Sequence, residues 1–259
     1  MKYSDLLFCC GTALLLSAQQ VNAQYNTAWI SLFDGLSGFH SAEDITLLPT
    51  GDAVVSGVYS PASITEFRVA AFDAVGAPLW TNGLPDSIGQ AWKIFQLNDG
   101  SVLALGDYEN QTGTNDVLVH RYNVAGDLLG EVVINSPGMN TGDSFADATI
   151  DALGQVYLTG TFMDGGQNRP GVARLTPSGT LDWWVTYPLP TNWNGFGKAL
   201  AVETIGDTLA VVWSRNGSSY SAAVAFSSSG AHRWTTDLQM SANDNNNALT
   251  TDGLGHVLV

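Results

Sequence analysis

Cysteine and positive charge are both scarce in this 259-residue chain. The two cysteines, Cys9 and Cys10, stand together near the N-terminus, so the rest of the chain forms no disulfide and depends on burial and hydrogen bonding. Only 9 basic residues oppose 24 acidic ones, which gives a formal charge of −15. Because such a field repels nucleic acid and anionic membranes, the composition excludes nucleic-acid binding.

Long apolar runs are also missing, so the sequence predicts no membrane span. The longest mostly apolar run, Leu6–Ala18, is too short to cross a bilayer. It follows Lys2 and precedes Val21-Asn22-Ala23, which places small or medium residues where a signal peptidase cuts. Residues 1–23 are therefore predicted to be a signal peptide, and the protein is expected to be secreted or held at the cell surface.

Two interleaved series of glycines repeat with a period of about fifty residues. The first series is Gly76, Gly126, Gly179 and Gly230, and the second is Gly51, Gly100, Gly154, Gly206 and Gly255. In Pro49-Thr50-Gly51 and Pro177-Ser178-Gly179, proline suits the second position of a type I turn and glycine the left-handed position after it. Both series therefore predict tight β-hairpins.

The segments between these glycines read as strands, and no helical period interrupts them. Largely apolar runs follow the second series, which is typical of strands buried on both faces. Each unit then contains four antiparallel strands, as in the blades of a β-propeller, an all-β fold. The expected blades are residues 42–84, 91–134, 145–187 and 197–238, with a partial blade at 246–259 and a lone closing strand at 28–33. About four and a half blades make an incomplete disc, so further blades are expected beyond Val259.

Tryptophan recurs at one position of the repeat, which is occupied by Trp80, Trp183 and Trp234. The second unit has Gly130 at this position. A large aromatic side chain held in register is predicted to fill the wedge between adjacent blades.

The third unit carries a family resemblance. Its segments ATIDALGQVYLTGTF and GVARLTPSGTLDWWVTY resemble the propeller repeats of secreted bacterial proteins called SBBP repeats, and the resemblance extends over residues 27–259. The fourth unit departs from this pattern, since Val211-Val212 replaces Thr-Gly. The resemblance implies export and a propeller, and it implies no shared catalytic residue.

The first unit also resembles another family. VAAFDAVGAPLW looks like the blade motif of pyrroloquinoline quinone enzymes. Asp73 of that motif becomes Asn123, Thr176 and Ser227 in the other units, and the exported part lacks the adjacent cysteines of many such enzymes. No cofactor is therefore expected, and a quinone is disfavoured.

The longer connections vary between units and emerge on one face of the predicted disc, where binding usually resides. Trp193 lies outside the tryptophan register and is the first candidate for ligand contact. The other candidate binding residues on this face are Asp86, Asp143, Asp164 and Asp244. Asp244-Asn245-Asn246-Asn247 has residue types that suit a weak calcium site but lacks the glycine and glutamate of an EF-hand loop.

Catalysis would require carboxylates or metal ligands that converge near the axis. The first strands of the units offer only scattered acids, namely Asp44, Asp147, Asp151 and Glu203. The sequence therefore favours a binding or interaction scaffold for an extracellular protein or carbohydrate. The alternative is a secreted propeller enzyme, either a quinone-dependent dehydrogenase or a hydrolase that acts on polysaccharide.

The predicted signal peptide can be tested on the exported protein. Cleavage after Ala23 should give a polypeptide that begins at Gln24. Intact-mass measurement and N-terminal sequencing of the protein from the culture medium or cell surface would check this. Recovery of a polypeptide that still begins at Met1 would contradict it.

Overall fold

The computed structural model describes residues 38–61, 64–84, 87–136, 142–190, 193–203, 208–215, 221–238, 249–252 and 256–258. Within these ranges every regular element is a β-strand. None of these residues belongs to a helix with the length and hydrophobicity of a membrane span. The expected signal peptide and the lone strand at 28–33 lie outside the described residues.

Four antiparallel four-stranded sheets follow one another along the chain, each with its strands in sequence order. We call them blades 1 to 4. Blade 1 contains β1 (Gly38–Leu47), β2 (Ala53–Pro61), β3 (Glu66–Phe72) and β4 (Pro78–Gly83). Blade 2 contains β5 (Gly89–Gln96), β6 (Val102–Glu109), β7 (Asn115–Tyr122) and β8 (Leu128–Ile134). Blade 3 contains β9 (Ser144–Ile150), β10 (Val156–Asp164), β11 (Gln167–Leu175) and β12 (Leu181–Thr186). Blade 4 contains β13 (Gly195–Glu203), β14 (Thr208–Arg215), β15 (Ser221–Ser227) and β16 (His232–Asp237), and the short β17 (Thr250–Thr251) and β18 (Val257–Leu258) pair with each other after it.

The first strand of each blade lies innermost. β1 contacts β5, and β9 contacts both β5 and β13, whereas the fourth strands form the outer rim. The second and third strands are buried between the blades, as the apolar runs predicted; Leu103, Leu105 and Leu158 have no exposed surface. Each pair of neighbouring blades encloses an apolar cluster, which is the main source of stability.

The hairpins have the predicted turn. The Gly51 N–H donates to the Leu48 carbonyl at 2.9 Å, the Leu48 N–H donates to the Asp52 carbonyl at 2.8 Å, and Gly51 has a φ of 88°. Left-handed backbone at this position favours glycine.

Each inner strand contains a β-bulge. The pairing of the inner with the second strand skips one residue in every blade: Glu43, Trp92, Ala146 and Lys198. Opposite the bulge of blade 2 stands Gly106, where a Cβ atom would lie 1.8 Å from the Gln90 carbonyl oxygen. Gly57 and Gly160 face the same obstacle in blades 1 and 3. The second strand must therefore have no side chain at this point.

Blade 4 differs in register, which accounts for its departure from the Thr-Gly pattern. Its first hairpin pairs Glu203 with Thr208, with four residues between them, whereas Leu47 pairs with Ala53 across five in blade 1. The bulge of blade 4 consequently opposes Trp213 and Val212 one residue further along. A separate contact favours glycine on the inner strand of blade 4, because a Cβ atom on Gly197 would lie 2.4 Å from the Gly160 carbonyl oxygen of blade 3.

The repeated tryptophans join adjacent blades. Trp80 Nε1 donates to the Val124 carbonyl at 2.9 Å, and Trp183 Nε1 donates to the Ser228 carbonyl at 3.0 Å. Each indole also lies against a turn glycine of the next blade. In blade 2, where Gly130 replaces tryptophan, Arg121 takes over and donates to the Ser178 carbonyl at 2.8 Å. Trp234 is 38% exposed on the rim of blade 4.

The bulge predicts different effects for two glycines of blade 2. Gly106→Ala should lower the free energy of unfolding by about 3 kcal/mol, because the new Cβ atom and the Gln90 carbonyl cannot occupy the same place. Gly130→Ala is the control, since nothing lies within 4 Å of its Cβ position, and it should change stability by less than about 1 kcal/mol. Urea denaturation of both variants measures this, and equal effects would contradict the role of the bulge.

Candidate functional site

The described parts of the variable connections lie on one side of the disc, which we call the variable face. They belong to the connections between second and third strands and to those between consecutive blades. Hydrogen bonds link the two sets: the Gly89 N–H donates to the Thr65 carbonyl at 2.6 Å, and the Asp143 N–H donates to the Asn115 carbonyl at 2.6 Å. The tight hairpins lie at the opposite ends of the strands and form the opposite face.

A cavity of about 350 Å³ lies where the inner strands of blades 2, 3 and 4 begin. Each inner strand starts at a connection between blades, so the cavity lies on the variable face near the axis. We call it the axial cavity. It is lined by Trp92, Ser144, Phe145, Ala146, Thr161, Phe196, Gly197 and Lys198.

The bulges bring three of these residues to the axial cavity. Trp92, Ala146 and Lys198 are the extra residues of β5, β9 and β13, and they hold the same position of the repeat. A bulge bends its strand and redirects a side chain. Because β9 contacts both β5 and β13, the bulge position of Ala146 lies between those of Trp92 and Lys198, and alanine has the smallest side chain of the three.

A half-buried carboxylate fixes the orientation of the indole. Trp92 Nε1 donates to Asp107 Oδ2 at 3.1 Å, and the Phe145 N–H of blade 3 donates to Asp107 Oδ1. Burial raises the pKa of Asp107 from 3.8 to about 6, while these two hydrogen bonds lower it in part. Asp107 does not line the axial cavity itself, and its hydrogen bonds hold Trp92 and Phe145 in place there.

The candidate residues from the sequence do not converge on the axial cavity. Asp143 is buried and accepts hydrogen bonds from the Ser136 N–H, the Ser136 hydroxyl and the Met163 N–H, so it stabilises its own connection and is not presented to a ligand. Asp164 is exposed at the end of β10, where Thr186 Oγ1 donates to it at 3.2 Å. Trp193 is half-buried against the apolar cluster between blades 3 and 4. Asp86, Asp244 and the proposed calcium-ligating run after Asp244 lie outside the described residues.

The sequence reasoning missed Trp92, Asp107, Phe196 and Lys198. A signal was available for two of them. Trp92 and Lys198 both stand eight residues before a glycine of the second series, at a position where the other units have Glu43 and Ala146. Such variation within a regular repeat indicates that the fold does not require one residue type at this position.

The described residues contain no group of three or more histidine, cysteine, aspartate or glutamate side chains that could hold a metal ion. The strongest titratable cluster outside the axial cavity is His120, which contacts the Tyr122 hydroxyl at 2.8 Å and Glu131 Oε2 at 2.9 Å. Burial lowers the pKa of His120. Its imidazole packs against Phe67 between blades 1 and 2. His120 therefore belongs to the interface between these blades and does not line the axial cavity.

Comparison with known proteins supports the architecture. A family model described as a domain of unknown function (DUF5122) beta-propeller matches residues 154–182. The Dos1 propeller superposes with a TM-score of 0.50 at 10% identity, over 85% of this chain and 66% of that one. The fold is an open β-propeller.

Two other solved structures are similar to this propeller at lower scores. The periplasmic gluconolactonase of Pseudomonas aeruginosa superposes with a TM-score of 0.48 at 18% identity, over 77% of this chain and 57% of that one. A quinonprotein alcohol dehydrogenase-like protein from Bacteroides thetaiotaomicron gives 0.45 at 15% identity, over 76% and 45%. The propeller thus spans between 45% and 66% of the lengths of these three structures. No curated protein matches the chain.

The raised pKa of Asp107 predicts a specific pH dependence. Folding raises its pKa to about 6, so its neutral form is favoured by folding, and the stability it contributes is lost as the pH rises from about 4 through about 6. The loss is at most about 3 kcal/mol. Asp107→Asn cannot ionise at this position, and all other groups titrate in both proteins.

Urea unfolding of the propeller and of Asp107→Asn at about pH 4.5 and about pH 7.5 measures this difference. The wild-type propeller should be more stable relative to the variant at the lower pH. A difference that is constant, or that grows with pH, would show that the carboxyl is not held in the neutral form.

Proposed function

We propose that this propeller is an exported binding protein and that the axial cavity is the centre of its binding site on the variable face. The carrying observation is the lining of the cavity, where the aromatic side chains of Trp92 and Phe196 accompany the hydroxyl groups of Ser144 and Thr161 and one lysine. Aromatic side chains beside a few convergent polar groups are typical of small-ligand sites. Export rests on the predicted signal peptide at 1–23, and the SBBP resemblance agrees with it.

The chemistry of the lining favours a carbohydrate among the extracellular partners. An aromatic ring buries the apolar face of a sugar, and hydroxyl groups exchange hydrogen bonds with its edges. Trp92 suits this task because Asp107 fixes its indole before any ligand arrives, which lowers the entropy lost on binding. A protein partner would instead use the wider variable face, including the exposed Asp164.

The same lining favours binding over catalysis. The residues that line the axial cavity include no carboxylate, imidazole or thiol. Glycoside hydrolysis commonly uses a pair of carboxylates beside the scissile bond. Asp107 is the nearest carboxyl with a raised pKa, and its two oxygens are engaged by Trp92 and the Phe145 backbone.

A blocking variant tests the proposal without disturbing the fold. Ala146→Trp should fill the axial cavity, and the bulge tolerates tryptophan because Trp92 holds the same position in blade 2. The full-length exported protein would be applied to a microarray of plant, algal and bacterial cell-wall oligosaccharides. Ala146→Trp should weaken binding to each glycan that is bound by at least about tenfold.

Val75→Trp is the matched control, because Val75 is 76% exposed in a hairpin of the opposite face. It should bind as the parent protein does. Equal binding by Ala146→Trp and the parent, or no binding to any glycan on the array, would overturn the proposal. Shortened oligosaccharides in the mass spectrum after incubation would favour the hydrolase alternative.

A further inference from the structure

Both lysines of the expected mature chain lie on inner strands. The sequence contains Lys2, Lys93 and Lys198, and Lys2 belongs to the predicted signal peptide. Lys93 is in β5 and Lys198 is in β13, next to the axis of a chain whose formal charge is −15. Both lysine ammonium groups of this acidic mature chain are therefore on strands next to the axis.

The two lysines differ in their partners. Lys93 Nζ lies 3.7 Å from Asp147 Oδ1, and Asp147 Oδ2 accepts a hydrogen bond from the Leu200 N–H. Lys198 lines the axial cavity with an exposed side chain, and within the described ranges no carboxylate forms an ion pair with it. Its positive charge is thus available to a ligand.

Four of the described arginines provide a contrast. Arg68 pairs with Glu66, Arg121 with Asp99 and Arg174 with Asp182, each within its own blade. Arg169 donates to the Leu189 carbonyl and to Gln167. The side chains of these four arginines stabilise the blades through such contacts. Lys198 forms no such ion pair within the described residues.

The fold itself does not require a cation at this position. The corresponding bulge residues are Glu43, Trp92 and Ala146, so the bulge accepts an acid, an aromatic ring or a methyl group equally well. A lysine and two aromatic side chains that line one cavity form an arrangement that a ligand would use. The aromatic rings offer stacking surfaces, and the lysine offers a positive charge.

From this arrangement we infer that the axial cavity selects an acidic saccharide, a sugar that carries a carboxylate or a sulfate ester, with Lys198 as the residue that pairs with the anionic group. This inference rests on the proposed function. A charge-assisted hydrogen bond from an ammonium group to a carboxylate or sulfate is stronger than one between neutral groups. The long-range field of the acidic protein repels anions, so a contact with Lys198 must supply the selectivity.

Three probes separate the sources of negative charge. Calorimetric titration of the full-length protein would use oligogalacturonate, the same oligosaccharide with its carboxylates methyl-esterified, and a sulfated galactan oligosaccharide. The methyl ester keeps the sugar ring and removes the charge. At least one of the two acidic probes should bind about fivefold or more tightly than the ester, and their order identifies the carboxylate or the sulfate as the preferred group.

Variants of the two lysines locate the charge that is responsible. Lys198→Gln should weaken binding of the preferred acidic probe about fivefold or more and leave binding of the ester within about twofold, and Lys198→Arg should restore it. Lys93→Gln removes the same charge from a lysine that is already paired, and it should stay within about twofold of the parent.

The outcomes distinguish this inference from the proposed function. If the ester and the acidic probes bind equally and Ala146→Trp abolishes both, the cavity is a neutral-sugar site and the inference is wrong. An unchanged affinity in Lys198→Gln would also overturn it. If no saccharide binds, the proposed function and the inference both fail.

Discussion

The close approach of the inner strand to the second strand is the constraint on which the rest of the propeller depends. In blades 1 to 3 a carbonyl oxygen of the inner strand stands where a Cβ atom of its neighbour would be, so the neighbour is Gly57, Gly106 or Gly160. This contact is possible because the inner strand bulges there and turns toward the axis. The bulge also delivers one extra side chain per blade to the centre of the disc. One backbone feature thus shapes the blade and supplies the wall of the axial cavity.

Inner strands create a second requirement, because each has a free edge whose N–H groups need acceptors. Aspartates of the preceding blade meet it. Asp44 accepts from the Ile94 N–H at 3.1 Å, Asp147 accepts from the Leu200 N–H at 3.2 Å, and Asp107 accepts from the Phe145 N–H. At the rim, Trp80, Trp183 and Arg121 form the corresponding bonds to the turns of the next blade. Neighbouring blades are therefore joined at the axis by carboxylates and at the rim by indole or guanidinium groups, with the apolar clusters between them.

The sequence predicted the features that one strand or one turn determines by itself. Glycine in a left-handed turn and apolar runs in buried strands are visible locally, so the all-β propeller fold and its four-stranded blades were confirmed. The bulges could not be predicted, because a bulge is a property of two paired strands and the carbonyl that excludes a side chain at Gly106 comes from Gln90. The sequence analysis therefore turned to acids in the loops, such as Asp143, and passed over Trp92 and Lys198, whose only sequence signal is variation at one position of the repeat. Nothing in the sequence indicates hydrogen-bond partners for the Asp143 carboxylate. The structure shows that it accepts hydrogen bonds from three donors.

The structural use of aspartate changes what the net charge of −15 implies. Asp44, Asp107, Asp143 and Asp147 each accept a backbone N–H, so four of the 24 acidic residues satisfy donors that strand pairing leaves open. Acidity of this origin carries little information about partners, since any propeller joined in this way would need it. A lysine has no comparable duty at the free edge of an inner strand, because it can only donate. The positive charge of Lys198 therefore says more about a ligand than these four aspartates do.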